Sequence, residues 1–480
     1  MDHKRPARLP GNRVVRRRLD ATKVITIPEA PLHRDVPNVR THAKWFVAGF
    51  TAIVLLGTVL LMLPWSTTSR ESTPAIDAFF TAISASAVVG LTTIDPSTHW
   101  SFLGQVVITV LIQIGGLGFM VGASLILVSL GRGLSLRDSL MLQDGSPTLS
   151  IREATVLSRR ILRFTFIVEA LGAIPLTLAF MRDDPPLKAI WHGVVVSISA
   201  FCNAGFEFRG GFRSISAYDS SPAVLITIMT LIQIGTLSYI VMSDVWTRRR
   251  WSGLQLDSKL VLLTNGALVV IGMVGFLIME WNSALASIPA WAKPMNALFQ
   301  SVAARSAGFA TVDFSEAHPS TLFLWVAIMF VGGAAGSTAG GIKLATLAVL
   351  VIAVLSTLRG QIEPQAFGRR IAISLVFRSL AIVAILLTAH FVLTLALAIT
   401  EDVFNKESIG FVALMYETMS GLATTGTSTG ITPTLSTPGK VVLCVAMFFG
   451  RIGPLTAAYA LQRRQRPVKY RFAEANIRLG

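Results

Sequence analysis

Apolar residues in this chain are gathered into long runs. Crossing ~30 Å of hydrocarbon takes a helix of about 20 residues. Eight runs meet that length: 45–64, 102–130, 161–181, 224–246, 260–280, 322–355, 371–399 and 441–461. Within each successive pair lies a shorter, semi-apolar stretch, at 75–89, 187–202, 288–307 and 409–423, that carries small or polar side chains and ends near a Gly. Stretches this short re-enter or stay buried rather than span. The pattern predicts span, half-helix, span, four times over.

Composition agrees. Of 480 residues, 52% are apolar and 14% charged, against about 25% charged in soluble domains. Disorder and a coiled coil are excluded, and an ordinary soluble enzyme is disfavoured. Net charge is +16, and its placement matters more than its size. The segments 1–44, 131–163, 247–259, 357–370 and 462–480 hold 30 Lys and Arg, whereas 66–100, 182–220, 282–320 and 400–440 hold 9. Positive residues stay inside, so both termini are expected in the cytoplasm of a multi-pass inner-membrane protein. The outer segments carry 13 Asp and Glu, and such a surplus concentrates cations at a mouth. The first apolar run starts at Trp45 and is too long for the core of a cleaved signal peptide. Cys202 and Cys444 show no metal-type spacing.

The chain repeats itself. Leu111-Ile112-Gln113-Ile114-Gly115 recurs 120 residues later as Leu231-Ile232-Gln233-Ile234-Gly235, and Met329-Phe330-Val331-Gly332 recurs 118 later as Met447-Phe448-Phe449-Gly450. A Gly follows each half-helix: Gly90, Gly205, Gly308 and Gly426. These precede the second-span glycines 115, 235, 332 and 450 by 25, 30, 24 and 24 residues. Scattered helix-packing glycines would not keep two landmarks in step. The expected fold is therefore an all-α membrane protein of four M1–P–M2 repeats, with eight transmembrane helices and four re-entrant pore helices around a pseudo-fourfold central pore. Its expected parts are a basic cytoplasmic segment 1–44, repeats 45–130, 131–246, 247–356 and 357–461, and a cytoplasmic tail 462–480.

Non-helical backbone at membrane depth is tolerated where it is buried or lines a watery cavity. The four segments read Val88-Val89-Gly90, Asn203-Ala204-Gly205, Ser306-Ala307-Gly308 and Thr424-Thr425-Gly426. They hold no charge and share only Gly, so a common function rests on backbone. Rings of carbonyl oxygens replace the hydration shell of K⁺, and helix C-termini add negative partial charge. An anion would call for helix N-termini or Lys and Arg. Arg305 precedes the third segment, is unmatched elsewhere and reads as a local structural charge.

On these motifs the chain resembles the membrane subunits of the Trk/Ktr/HKT superfamily of cation transporters, of KtrB type in particular. The resemblance covers about residues 45–480. It is carried by Asn203-Ala204-Gly205-Phe206, Ala307-Gly308-Phe309, the run Gly332-Gly333-Ala334-Ala335-Gly336-Ser337-Thr338-Ala339-Gly340-Gly341-Ile342-Lys343, and Phe449-Gly450-Arg451-Ile452-Gly453-Pro454-Leu455-Thr456. The tail Lys469-Tyr470-Arg471-Phe472-Ala473-Glu474 also resembles KtrB. The resemblance implies K⁺ as transported ion, with Gly in all four filters going with K⁺ and Ser in the first with Na⁺. It also implies a homodimer on a cytoplasmic nucleotide-binding ring of KtrA type. Val88-Val89 stands where the family often has a hydroxyl residue before the Gly, which opens the way to an altered preference, Na⁺ included.

Five Gly in the ten residues from Gly332 to Gly341 make a poor helix, at about 1 kcal/mol per Gly relative to Ala. Gly332, Gly333, Gly336, Ser337, Thr338, Gly340 and Gly341 are expected to form a loop that obstructs the pore and moves to open it. A tight packing face is the alternative. Arg451, near mid-span, is costly and marks function, either facing the cavity or in a buried ion pair. Lys343 is expected to serve the same gate or to anchor at the cytoplasmic surface. Glu169, Glu280 and Arg378 read as structural.

K⁺ uptake through a gated, potential-driven pore is the leading reading. A Na⁺-coupled or Na⁺-permeable alternating-access transporter is the alternative. No catalytic constellation accompanies His42, His99, His192 and His390, and no nucleotide-binding loop spacing is present. The basic loops suit a regulatory subunit or anionic lipid equally. For the basic N-terminus, membrane retention is preferred to nucleic-acid binding.

Overall fold

The computed structural model describes residues 39–129, 151–212, 214–361, 363–405 and 409–461. Most of the expected N-terminal segment 1–44, the part 131–150 of the second expected repeat and the tail 462–480 lie outside the described residues. The chain separates into two compact parts, Met1–His42 and Ala43–Gly480, and the helical bundle belongs to the second.

Helices alternate in length. A long α1 (Val39–Met62) is followed by a short α2 (Ala75–Ala87) and a long α3 (Phe102–Ser129). The next three are α4 (Ile151–Phe180), α5 (Pro186–Cys202) and α6 (Pro222–Arg248). Then come α7 (Leu256–Glu280) and the short α8 (Lys293–Ala303). Two further pieces, α9 (Pro319–Met329) and α10 (Leu344–Leu358), share one apolar run. The series closes with α11 (Ile373–Phe404), α12 (Phe411–Leu422) and α13 (Thr437–Leu461). Proline opens α5, α6 and α9, where its missing N–H leaves no intrahelical bond unmade. A two-residue hairpin, Gln365–Ala366 against Arg369–Arg370, lies between α10 and α11.

One expectation is corrected here. The run 322–355 is not one span: helix stops at Met329 and resumes at Leu344. Among the described residues, five helices are long and apolar enough to cross a membrane: Phe102–Gly122, Val156–Phe180, Pro222–Arg248, Leu256–Glu280 and Ile373–Phe404. Their outer faces are apolar. Phe166, Ile167, Leu171, Ile174 and Leu178 on α4 are exposed, as are Phe377, Leu380, Phe391, Val392 and Leu395 on α11. The short helices are the reverse, buried along most of their length with polar side chains included, such as Thr81, Ser84, Ser199, Gln300, Glu417 and Ser420. Apolar side chains outside and polar short helices within describe a multi-pass membrane protein.

Each short helix also packs on the helix that follows the preceding short helix. α5 packs on α3, α8 on α6, α12 on α9, and α2 on α13. The last pairing joins the two ends of the sequence and closes a ring. Lys440 at the head of α13 seals it, with Nζ 2.8 Å from Asp77 Oδ1 on α2.

The second-span glycines explain how closely these helices meet. A β-carbon on Gly115 would collide with Ser86 O, one on Gly235 with Phe201 O, and one on Gly450 with Leu422 O. In each case the struck carbonyl lies four residues before a half-helix Gly. Gly332 breaks the pattern and faces Gly340 O instead. Replacing Gly115, Gly235 or Gly450 with Ala should destabilise the purified protein by about 1–3 kcal/mol through overpacking. Gly118→Ala, with open space around the added carbon, should be neutral. Thermal unfolding followed by tryptophan fluorescence reads the difference; equal melting temperatures for all four variants would contradict it.

Candidate ion pathway

The four short helices end alike. Val88, Asn203, Ser306 and Thr424 all have left-handed backbone, at φ 58°, 62°, 62° and 52°, and two residues later Gly90, Gly205, Gly308 and Gly426 have φ 102°, 68°, 74° and 88°. Three of these ends are Schellman caps. Val88 N–H donates to Ala85 O and Val89 N–H to Ser84 O; Asn203 and Ala204 do the same to Ala200 and Ser199, and Thr424 and Thr425 to Gly421 and Ser420. α8 stops earlier relative to its Gly, at Ala303, and Ala307 N–H returns to Ala303 O. The left-handed cap is thus a non-glycine residue, and the Gly supplies a second positive φ rather than the cap itself. Left-handed φ at a β-branched Val or Thr is strained, so the surroundings must hold it.

These turns meet. A β-carbon on Gly90 would lie 2.5 Å from Ala204 O, and one on Gly205 would lie 2.6 Å from Gly308 Cα and 3.0 Å from Ala307 O. One on Gly308 would lie 2.9 Å from Thr425 O and 3.2 Å from Val89 O, and one on Gly426 would collide with Val89 O. The carbonyl before each Gly therefore points at the gap between the four turns, and only Gly leaves that gap clear. Residues 88–90, 203–205, 306–308 and 424–426, distant in sequence, stand at one place. The arrangement is a narrow ring of uncharged oxygens at four helix C-termini, which attracts cations and repels anions.

Polar side chains brace the ring from behind. Glu417 is fully buried on α12, and its carboxylate accepts from Ser428 Oγ at 2.5 Å, Thr429 N–H at 2.9 Å, Thr429 Oγ1 at 3.3 Å and Thr432 Oγ1 at 2.9 Å. Tyr416 OH donates to Thr427 Oγ1 at 2.8 Å. Arg305 is also fully buried and donates to Asn265 Oδ1 and Asn265 O at 2.8 and 3.1 Å, with Asn265 held in turn by Gln233. It anchors the third turn to α7. Glu169 accepts from Gln113 Nε2 at 3.1 Å, and Glu280 accepts from Ala284 N–H and His318 N–H at the α7 end.

The chain between Met329 and Leu344 is stitched to itself. Gly332 N–H donates to Ile342 O and Ile342 N–H to Phe330 O, at 3.0 and 3.1 Å. It is stitched to α6 as well, which breaks at Ser238 (φ 69°, ψ 154°). The break frees carbonyls of the preceding turn, and the intramembrane loop caps them: Ala334 N–H donates to Thr236 O at 2.8 Å and Thr338 N–H to Gly235 O at 3.3 Å. Arg451 is buried and pins this loop. Its Nη1 donates to Thr338 O at 2.5 Å and its Nη2 to Gly115 O at 2.8 Å, while its Cζ stands 4.3 Å over the Phe119 ring. No acidic side chain among the described residues pairs with it, so its buried contacts are carbonyls and a ring face. Lys343 turns back to Ala339 O at 2.6 Å and to the same Phe119 ring at 5.5 Å rather than reaching outward.

Several carboxylates of the segments 66–100 and 182–220 are consumed internally. Asp77 pairs with Lys440, and Arg209 lies between Asp183, Asp184 and the Phe180 and Tyr218 rings. Burial acts to raise the Asp184 carboxyl, but Arg209 and His192 beside it outweigh that and hold it below the usual carboxylate range. Asp77, Asp183 and Asp184 are thus structural rather than free to draw cations to a mouth.

The residues that motif reading missed are Phe119, Glu417, Ser84 and Ser420. Glu417 carries a sequence signal, as the sole acid in the 409–423 stretch. Phe119 carries none, since its partners come from α13 and the loop.

A buried ring of backbone oxygens inside a shell of lipid-facing helices defines an ion-translocating membrane protein. The TrkH family model, described as a cation transport protein, matches residues 25–467, and the chain belongs to that family. It is 33% identical over 436 residues to the potassium/sodium uptake protein NtpJ of Enterococcus hirae, spanning 90% of this chain and 96% of the relative. It is 34% identical over 427 residues to the Ktr system potassium uptake protein B of Bacillus subtilis, with 88% and 94% covered. The crystal structure of the potassium transporter TrkH from Vibrio parahaemolyticus shares the fold at a TM-score of 0.66 and 18% identity, over 87% of this chain and 85% of that one.

Glu417→Gln keeps the shape but replaces one acceptor oxygen by a donor facing hydroxyls and an amide. It should lower the melting temperature and cost about 1–3 kcal/mol for the polar groups left unsatisfied. An unchanged melting temperature would show that the 428–432 segment does not depend on this carboxylate.

Proposed function

We propose that the chain takes up K⁺ across the cytoplasmic membrane through a gated, channel-like pore driven by the membrane potential. The single observation that carries this reading is the convergence of the Val89, Ala204, Ala307 and Thr425 oxygens between four glycines. Four such oxygens replace water around a dehydrated cation, and an inside-negative potential supplies about 2.3 kcal/mol per charge per 100 mV. The names of the relatives, potassium uptake for Ktr proteins and potassium/sodium uptake for NtpJ, support the ion class.

The helices fall into four M1–P–M2 repeats, 45–130, 131–246, 247–356 and 357–461, with the short helices as pore helices. Residues 88–90, 203–205, 306–308 and 424–426 form the selectivity filter. The loop carrying Gly332, Gly333, Gly336, Ser337, Thr338, Gly340 and Gly341 is the gate, held shut by Arg451 with Lys343. Both termini face the cytoplasm. The protein works as a homodimer with a KtrA-type nucleotide-binding ring, in keeping with relatives that are named as parts of a Ktr system. A Na⁺-permeable reading is kept alongside, because NtpJ is named for both ions and Val88 and Val89 bring no hydroxyl to the first filter.

Uptake of K⁺ and Na⁺ in cells lacking their own K⁺ systems tests both halves. Gly90→Ser and Gly308→Ser should each lower K⁺ preference over Na⁺ by about tenfold or more, since a β-carbon blocks the oxygen ring. A deletion within Gly336–Gly340 should raise flux severalfold. Unchanged selectivity in both Ser variants would overturn the filter, and unchanged flux in the deletion would overturn the gate.

A further inference from the structure

A Ser stands six residues before the Gly in three of the four turns: Ser84, Ser199 and Ser420, with Val302 in the fourth. Two of these hydroxyls reach the Gly itself. Gly90 N–H donates to Ser84 Oγ at 3.1 Å, and Gly426 N–H donates to Ser420 Oγ at 3.0 Å. Ser420 Oγ also donates to Thr427 O at 2.6 Å, spanning the Gly. Ser199 Oγ, at the same position on α5, is buried without a hydrogen-bond partner, and Val302 has no oxygen to offer.

The peptide is planar, and in the trans form its N–H and C=O point in opposite directions. Tying Gly90 N–H back to α2 therefore aims Val89 O the other way, toward the gap between the turns. The same holds for Gly426 N–H and Thr425 O. The geometry agrees: Val89 O and Thr425 O are the atoms that a β-carbon on Gly308 would meet at 3.2 and 2.9 Å. Without a tether such a peptide can rotate, because Gly accepts both signs of φ. Rotation would turn an N–H toward the permeating cation in place of an oxygen.

We propose that Ser84 and Ser420 are positioning residues: by holding the Val89–Gly90 and Thr425–Gly426 peptide planes, they set the ion preference of the pathway. This rests on the filter reading above. It assigns unequal parts to the four turns. In the first and fourth, adjacent where α2 packs on α13, a side chain ties the Gly amide itself, whereas the second and third are held by side chains two places before the Gly, Asn203 Nδ2 on Thr236 Oγ1 and Ser306 Oγ on Ala423 O, both at 3.0 Å.

The test is K⁺ and Na⁺ uptake by the full-length protein in liposomes, with KM measured for each ion. Ser84→Ala and Ser420→Ala should each reduce the K⁺ to Na⁺ preference about five- to tenfold, the size of one hydrogen bond. Ser199→Ala should leave it unchanged. Ser84→Thr and Ser420→Thr, which keep the oxygen, should retain it. Where an Ala variant does not purify, Ser84→Cys and Ser420→Cys, with weaker acceptors, carry the same expectation. Gly90→Ser in the same assay separates the two ideas. If Gly90→Ser alters preference and the Ser84 and Ser420 variants do not, the tether is wrong and the filter stands. If Gly90→Ser also has no effect, the filter reading itself falls. An equal loss in Ser199→Ala would show a general packing effect and overturn the tether.

Discussion

Backbone amides and carbonyls cannot be left bare in hydrocarbon, where each unsatisfied group costs several kcal/mol. A chain that interrupts its helices in the membrane must bury every interruption and find partners for it. Here the four short helices end deep in the bundle, and their last carbonyls and amides are used in a fixed way. Schellman caps or their equivalent satisfy the first amides past each end, and the carbonyl before each Gly is left facing its counterparts. Such a cluster of oxygens suits a cation, which is the basis of the pathway proposed above. The lipid-facing helices, the close glycine contacts at Gly115, Gly235 and Gly450, and the ring closure through Asp77 and Lys440 all serve to keep those turns together.

The same constraint explains the intramembrane loop. Helix is lost over 330–343, between α9 and α10, and α6 is broken at Ser238. Each break supplies what the other needs, as loop amides cap the α6 carbonyls and Arg451 takes Thr338 O. Arg451 is tolerated without an acid because two carbonyls and the Phe119 face share its charge. The ends of the loop pack Val331, Ala334 and Ile342 into an apolar cluster with Val241, Val261 and Leu386, while its middle is held by exchangeable hydrogen bonds, which suits that part to rearrangement. It is on this ground that the loop is proposed as the gate.

Long-range order is largely legible in the sequence, because it depends on apolar length and on Gly. The stretch 187–202 is α5 to within a residue, and 75–89 and 409–423 enclose α2 and α12 closely. The third stretch, 288–307, is longer than the helix it holds: the chain turns through 281–292, past Pro289, before α8 begins. The four glycines are legible as a set. The left-handed residues two places earlier are not, because Val, Asn, Ser and Thr share no side-chain chemistry and their φ is imposed by the cap. Ser238 carries no local reason to break a helix; its cause lies in the loop across from it. Phe119 gains its place only when α13 and the loop arrive. The break in 322–355 is visible as glycine content, yet an apolar count alone reads it as a span.

The most direct measurement is an anomalous-scattering map of the protein crystallised with Rb⁺ or Tl⁺ in place of K⁺. A peak is expected between the oxygens of Val89, Ala204, Ala307 and Thr425, within coordination distance of all four. Ion density elsewhere in the bundle, with that gap empty at saturating Rb⁺ or Tl⁺, would contradict it.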